Sequence, residues 1–270
     1  MAAKVNESFD DFIKDSLEIV SKAKEKGLEL RILGALSSYL HLKEADPNAA
    51  QFYQGLGRLG PDATFTDLDL MGLRKQRGDL MKFLEKDLHL KPDLRFLQVY
   101  GNERLLYYKD DKFSIDVFLD KLHYSHDVDF KERLGLDYPT ITITDLVLEK
   151  LQIHEINRKD LVDLTVTFLY HPIRDGFSRD AVDARYISSI LWNDWGFWYD
   201  ATSNLQKTAL MCEALKVEGK LVDGQVASVK SRISELLGYL EKTQKSSDWT
   251  KRAKVGTSKP WYRDVEEVVR

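Results

Sequence analysis

The sequence predicts an α+β fold: a mixed sheet with flanking helices over residues 1–140, a helical domain over 141–245, and a basic tail over 246–270. Three observations predict it. Short apolar runs bounded by turn residues fill the first half, as strands require. From Thr144 onward apolar residues recur at helical spacing, as in an all-α layer or bundle. Past Thr243 that periodicity fades into a segment, Lys242 to Arg263, holding seven Lys or Arg and one Asp, with Trp249, Trp261 and Tyr262 interleaved.

Taken in order, Ser8 to Lys26 reads as an amphipathic helix with Phe9, Phe12, Ile13, Leu17, Val20 and Ala23 on one side. Ser8 is its cap, Asp10 and Asp11 suit the positive end of its dipole, and Gly27 stops it. Leu28 to Leu33 alternates as a strand and runs into Gly34-Ala35-Leu36-Ser37-Ser38, after which Tyr39, Leu40 and Leu42 predict a helix. A strand turning through glycine into a helix gathers backbone N–H groups at one point, which favours a phosphate. Asp46 to Thr64, with Pro47, Gly55, Gly57, Gly60 and Pro61, reads as irregular. Phe65 to Leu73 is a buried strand carrying Asp67 and Asp69.

Gly78 to Leu90 follows as a helix that ends before Pro92. Leu94 to Tyr100 and Arg104 to Tyr108 are predicted as paired strands across Gly101-Asn102, and Lys112 to Leu119 as the next strand, with Asp116 on the face opposite Phe113, Ile115, Val117 and Leu119. Helices are predicted over Asp145 to Gln152, Lys159 to Tyr170, Ser178 to Leu191, Ser203 to Glu218 and Gly224 to Thr243. Trp192, Trp195, Phe197, Trp198 and Tyr199 form an aromatic cluster that packs these helices together. The basic aromatic tail reads as a solvated terminus, with RNA contact as the alternative.

With 270 residues, 43% of them hydrophobic and 11% aromatic, the chain can bury a sizeable core. A formal charge of −4 provides no global basic field for nucleic acid. One cysteine, Cys212, excludes an intrachain disulfide and a cysteine-based metal cluster, and fits a core position in a reduced protein. No apolar run approaches the roughly 18 residues of a membrane span. Met1 to Phe12 lacks a signal-peptide apolar region. A cytoplasmic protein with no membrane partner is the expectation.

The chemistry is concentrated in Asp67, Asp69 and Asp116. On a strand, residues i and i+2 share a face, so Asp67 and Asp69 point the same way. Like charges held together in a buried setting repel and are costly to desolvate, and a divalent cation relieves both penalties. Solvent-facing aspartates on an edge strand are the bland alternative. Three carboxylates from neighbouring strands, whose opposed Cβ atoms lie roughly 4.5–5.5 Å apart, can hold two Mg²⁺ about 3.5–4 Å apart. An all-oxygen donor set suits Mg²⁺ better than zinc. His123 and His126, with Asp120, Asp127 and Asp129 nearby, read as a polar loop bordering the cleft rather than a metal site.

Leu33-Gly34-Ala35, Asp67-Leu68-Asp69 and Ser114-Ile115-Asp116-Val117 together resemble the elements of the DNA polymerase beta-type nucleotidyltransferase superfamily. Thr144 to Leu151 followed by Lys159-Asp160-Leu161-Val162-Asp163-Leu164 is similar to its abortive-infection toxin branch. Ala35 departs from the family's second glycine or serine, and Lys159 from its arginine. The resemblance spans roughly residues 28 to 170. It implies a nucleotidyltransferase-type sheet that binds two Mg²⁺ through Asp67, Asp69 and Asp116. Gly34 with Ser37 or Ser38 would cradle the triphosphate, Lys150 would contact phosphate, Asp160 would be the first aspartate of the later element, needed for activity, with Asp163 as the second, and Arg58 would match an arginine upstream of the acidic strand. The implied reaction moves an NMP group from an NTP donor such as ATP to an acceptor hydroxyl on tRNA, a protein or a small molecule, releasing pyrophosphate. A cognate antitoxin is a further implied partner. The competing expectation is an inactive relative that keeps the fold and binds a nucleotide or protein, for which Ala35 and the long gap from Gly34 to Asp67 speak.

Overall fold

A computed structural model describes residues 5–59 and 65–264; Gly60, Pro61 and the end of the tail, 265–270, lie outside the described residues. The chain begins with α1 (Phe9–Glu25), whose first turn is closed by the Ser8 hydroxyl accepting from the Asp11 N–H. Strand β1 (Leu30–Ile32) leads through Leu33 into α2 (Gly34–Ala45). A further helix, α3 (Ala49–Gly55), occupies part of the stretch expected to be irregular. Strand β2 (Leu68–Gly72) is followed by α4 (Arg77–Lys82) and a π-helical turn over Phe83–Asp87.

Next come β3 (Lys91–Pro92), α5 (Leu94–Tyr100), β4 (Arg104–Lys109) and β5 (Phe113–Leu119). The expected strand Leu94 to Tyr100 is therefore a helix. Asp93 caps it by accepting from the Phe96 N–H at 3.0 Å, and the Phe96 and Tyr100 rings, one turn apart, meet at a tilt of 43° with centroids 5.0 Å apart. Lys91–Pro92 supplies the edge strand beside β4 instead. A hairpin, β6 (Lys121–His123) and β7 (Asp127–Asp129), closes the first half.

The five-stranded sheet has the order β1-β2-β5-β4-β3, with β2 parallel to β5 and the other neighbours antiparallel. Every residue of β5 is buried, as suits a strand covered on both faces. Phe12 of α1 stacks on Phe65 and meets Phe113 edge-on, fixing α1 against one face.

The second half is helical: α6 (Ile143–Leu151), α7 (Arg158–Tyr170), α8 (Ala184–Leu191), α9 (Trp195–Val217), α10 (Asp223–Lys242) and α11 (Ser247–Val255). A short parallel pair, β8 (Ile173–Arg174) and β9 (Val182–Asp183), interrupts them, so the helix expected from Ser178 starts at Ala184, where Asp183 caps it. The fading pattern past Thr243 hides α11, which Ser246 caps by accepting from the Trp249 N–H. All nine residues of α6 are buried, and α2 packs against both α6 and α7. Most of the buried hydrophobic residues form one cluster that runs from Phe12 to Leu240. Among the described residues no helix is long and apolar enough to cross a membrane.

Candidate active site

Strand register builds the acidic centre. Asp69 on β2 lies directly opposite Asp116 on the parallel strand β5. Asp67 precedes β2 and accepts from the Thr66 hydroxyl at 2.7 Å. Carboxylate oxygens of Asp67, Asp69 and Asp116 all lie within 4.8 Å of one another. Asp67 and Asp69 are half-buried and line a cavity of about 420 Å³, while Asp116 is fully buried. That volume is in the range of small-ligand sites.

Electrostatics at this centre run against the charged state. Burial pushes the Asp69 carboxyl well above its ordinary value, and the Asp67, Asp116 and Glu149 carboxylates push it the same way. Arg104 opposes them from β4: its Nε donates to Asp116 Oδ1 at 2.9 Å while its guanidinium lies 4.6 Å from the Phe118 ring centroid. Arg104 is opposite Phe118 in register, so it reaches Asp116 diagonally. The Tyr124 phenol, on the cavity wall, is also pushed up by burial, although Arg104 favours its ionised form. Carboxylates gathered this closely, with Asp69 held back from ionising, are chemically matched to a hard divalent cation, which relieves the repulsion. The residues present thus fit Mg²⁺ coordination.

A second polar group sits on α6 and α7. Lys150 Nζ is 2.9 Å from Asp160 Oδ1, 3.1 Å from Glu149 Oε1 and 3.6 Å from Asp163 Oδ2. Arg58 grips Asp163 bidentately, Nε to Oδ1 at 2.8 Å and Nη2 to Oδ2 at 3.0 Å, and the Tyr53 hydroxyl donates to Oδ1 at 2.8 Å. Burial alone would lower the Lys150 pKa, but the three carboxylates outweigh it and hold the ammonium well above its ordinary value. Burial likewise works against the Asp160 carboxylate, and Lys150 outweighs it, leaving the Asp160 pKa lowered. Arg58, Lys150, Lys159 and Asp160 line the same cavity as Asp67 and Asp69.

Of the residues expected from sequence, the structure therefore gathers Asp67, Asp69, Asp116, Arg58, Lys150 and Asp160. Gly34 is close by, with φ +68°, and a Cβ built on it would lie 2.9 Å from Asp69 Oδ2. Its N–H does not face an open phosphate position: it donates to Glu149 Oε2 at 3.1 Å. Ser37 and Ser38 correct the expectation of a hydroxyl cradle. Both are buried within α2 and neither lines the cavity; the Ser38 hydroxyl donates back to Gly34 O at 3.4 Å, and Ser37 Oγ has no hydrogen-bond partner among the described residues. The helix starts at Gly34, so its first turn aims these side chains inward, and the residue of this turn that lines the cavity is Ala35.

Sequence reasoning missed Glu149, Arg104, Tyr124 and the tail residue Tyr262. Burial lifts the Glu149 carboxyl above its ordinary value, although Lys150 and the Gly34 amide favour the charged form. One signal pointed to it: Asp145, Glu149 and Lys150 interrupt a helix whose other residues, Thr144 aside, are all apolar, and buried charges need partners. Among the described residues His126 joins no cluster of metal-ligating side chains; its Nε2 donates to Asp200 Oδ2 at 2.8 Å. Compared with family models, with curated proteins and with solved structures, the chain matches none.

Proposed function

We propose that this chain is a Mg²⁺-dependent nucleotidyltransferase that moves an NMP group from an NTP to an acceptor hydroxyl and releases pyrophosphate. The observation that carries the reading is the meeting of Asp67, Asp69 and Asp116 within 4.8 Å at a cavity also lined by Arg58, Lys150 and Lys159. Carboxylates that hold cations beside fixed positive charges are the equipment of phosphoryl-group transfer. Asp67, Asp69 and Asp116 would hold Mg²⁺, which supplies charge neutralisation at the phosphates and activates the attacking oxygen.

In the reaction, the acceptor oxygen bonds to the α-phosphorus as the bond from that phosphorus to the β-bridging oxygen breaks. The acceptor's proton passes to a carboxylate of the cluster, Asp116 by the sequence expectation, and the electron pair leaves with pyrophosphate. Arg58 and Lys150 line the cavity as fixed cationic donors for the departing phosphate oxygens, their charge balanced by Asp160, Asp163 and Glu149. Asp163 and Asp160 hold those two cations in place. The acceptor is a tRNA, a protein or a small molecule, and a cognate antitoxin would act on a toxin of this type.

The competing reading is a binding module of the same fold without turnover. It is favoured by the Glu149 carboxylate on the Gly34 amide, where a phosphate would otherwise be received, and by Arg104 on Asp116. The two readings are separated by incubating the protein with each α-labelled NTP, Mg²⁺, and tRNA or cell protein. Label transferred to an acceptor with release of pyrophosphate, and lost in Asp67→Ala, is the expected result. Mg²⁺-dependent NTP binding with no transfer to any acceptor and no pyrophosphate would favour the binding module.

A further inference from the structure

The tail expected to be solvated instead reaches the cavity. Tyr262 and Arg263 line it together with Asp67 and Asp69. The Tyr262 ring stacks on His154, another lining residue, with centroids 3.5 Å apart and planes 14° apart. Anchors lie on both sides of Tyr262. Before it, the Trp261 indole N–H donates to Asp200 Oδ1 at 3.1 Å, and the Trp261 ring meets Trp195 and Tyr199 edge-on. After it, the Arg263 N–H donates to Ser125 O at 3.1 Å, its Nε donates to Tyr124 O at 2.9 Å, and its guanidinium pairs with Asp127.

Asp200 is the fixed point. It is 3% exposed and accepts from His126 at 2.8 Å and His154 at 3.0 Å as well as from Trp261, so one carboxylate sets both the platform ring and the tail. Gly196 permits the fit, because a Cβ there would lie 2.4 Å from the Trp261 carbonyl oxygen. The cavity of about 420 Å³ remains with Tyr262 in place, so the tail bounds the space rather than filling it.

We propose that the docked segment Trp261–Arg263 is a wall of the cavity and that Tyr262, seated on His154, forms a subsite for a planar heteroaromatic ring, the base of the bound nucleotide. The inference rests on the nucleotide reading above. Aromatic faces accept any base by stacking, and Asn157, exposed on the same lining, offers a side-chain amide to its edge. The acidic centre takes the phosphate end and the aromatic wall takes the base end.

The test compares the four NTPs with inorganic tripolyphosphate, all with Mg²⁺, by calorimetry on the full chain. Tyr262→Ala is expected to weaken the best NTP about tenfold, the loss of one stacking partner, with tripolyphosphate affinity unchanged. Tyr262→Phe should bind as the wild type does. Gly196→Ala, which leaves every cavity side chain intact but displaces the Trp261 carbonyl, should reproduce the loss seen in Tyr262→Ala. NTP affinity unchanged or tightened in Tyr262→Ala, or tripolyphosphate weakened equally, would overturn the wall and leave the nucleotide reading standing. If the wild type binds neither NTP nor tripolyphosphate, the nucleotide reading and the subsite fall together.

Discussion

Two neighbouring groups of charge in this molecule behave in opposite ways. On the sheet, burial and like charges drive the Asp69 pKa up, and Arg104 does not reverse it. On the helices, Lys150 overcomes the same burial and draws the Asp160 pKa down. The helical network satisfies itself through close pairing, which is what a buried ion pair requires. The acidic cluster holds repulsion that an added cation removes. A fold keeps such repulsion at a cost in stability, so its location on the cavity, rather than the presence of acidic residues, is why the proposal puts the reaction there.

Removing a member of each group should therefore give different kinds of loss. Asp67→Ala should lower nucleotidyl transfer on the order of 10³-fold, the several kcal/mol that metal-based charge stabilisation supplies, with little change in melting temperature; steady-state pyrophosphate release checks it. Asp163→Ala should do the reverse first. It leaves Arg58 and Lys150 buried beside a missing partner, costing about 3–5 kcal/mol of stability, and calorimetric melting should fall by roughly 10 °C. If Asp163→Ala melts like the wild type, the helical network is not the self-satisfied element described above.

Smaller effects sharpen the contrast at Asp69. Gly34→Ala puts a side chain at positive φ and 2.9 Å from Asp69 Oδ2, so it should cost about 1–2 kcal/mol from the backbone alone and weaken Mg²⁺ binding. Wild-type-like Mg²⁺ titrations in that variant would contradict the close approach. Asp69→Asn should raise the melting temperature of the metal-free protein by about 2–4 °C, the shift that roughly 1 kcal/mol produces in a chain of this size. The sign follows from proton binding. With the folded-state pKa of Asp69 raised, the native protein retains a proton that the unfolded chain has released. Metal-free stability therefore falls as pH rises from the ordinary aspartate value through the raised one. Melting curves across that window should flatten when Mg²⁺ is added and in Asp69→Asn.

The acidic centre was legible in the sequence because its signal is local: Asp67 and Asp69 share a strand face, and Asp116 interrupts an apolar strand. The mixed sheet with flanking helices and the helical second half were legible for the same reason, through periodicity. What was not legible depends on distant partners or on competition between local rules. The Glu149 carboxylate meets the amide of Gly34, 115 residues away, and the Asp200 carboxylate meets the Trp261 indole, 61 residues away. Leu94 to Tyr100 carries β-prone residues, yet the Asp93 cap and the Phe96–Tyr100 pair make it helical. Ser37 and Ser38 follow the glycine turn in sequence, but the helix begins at Gly34, which turns both hydroxyls inward.

The most direct test is a calorimetric titration of ATP, GTP, CTP and UTP in the presence and absence of Mg²⁺, on the wild type and on Asp67→Ala. At least one triphosphate should bind the wild type only with Mg²⁺, and the variant should bind none. Triphosphate binding that is indifferent to Mg²⁺ or survives in Asp67→Ala, or no binding at all, would contradict a cation site at Asp67, Asp69 and Asp116.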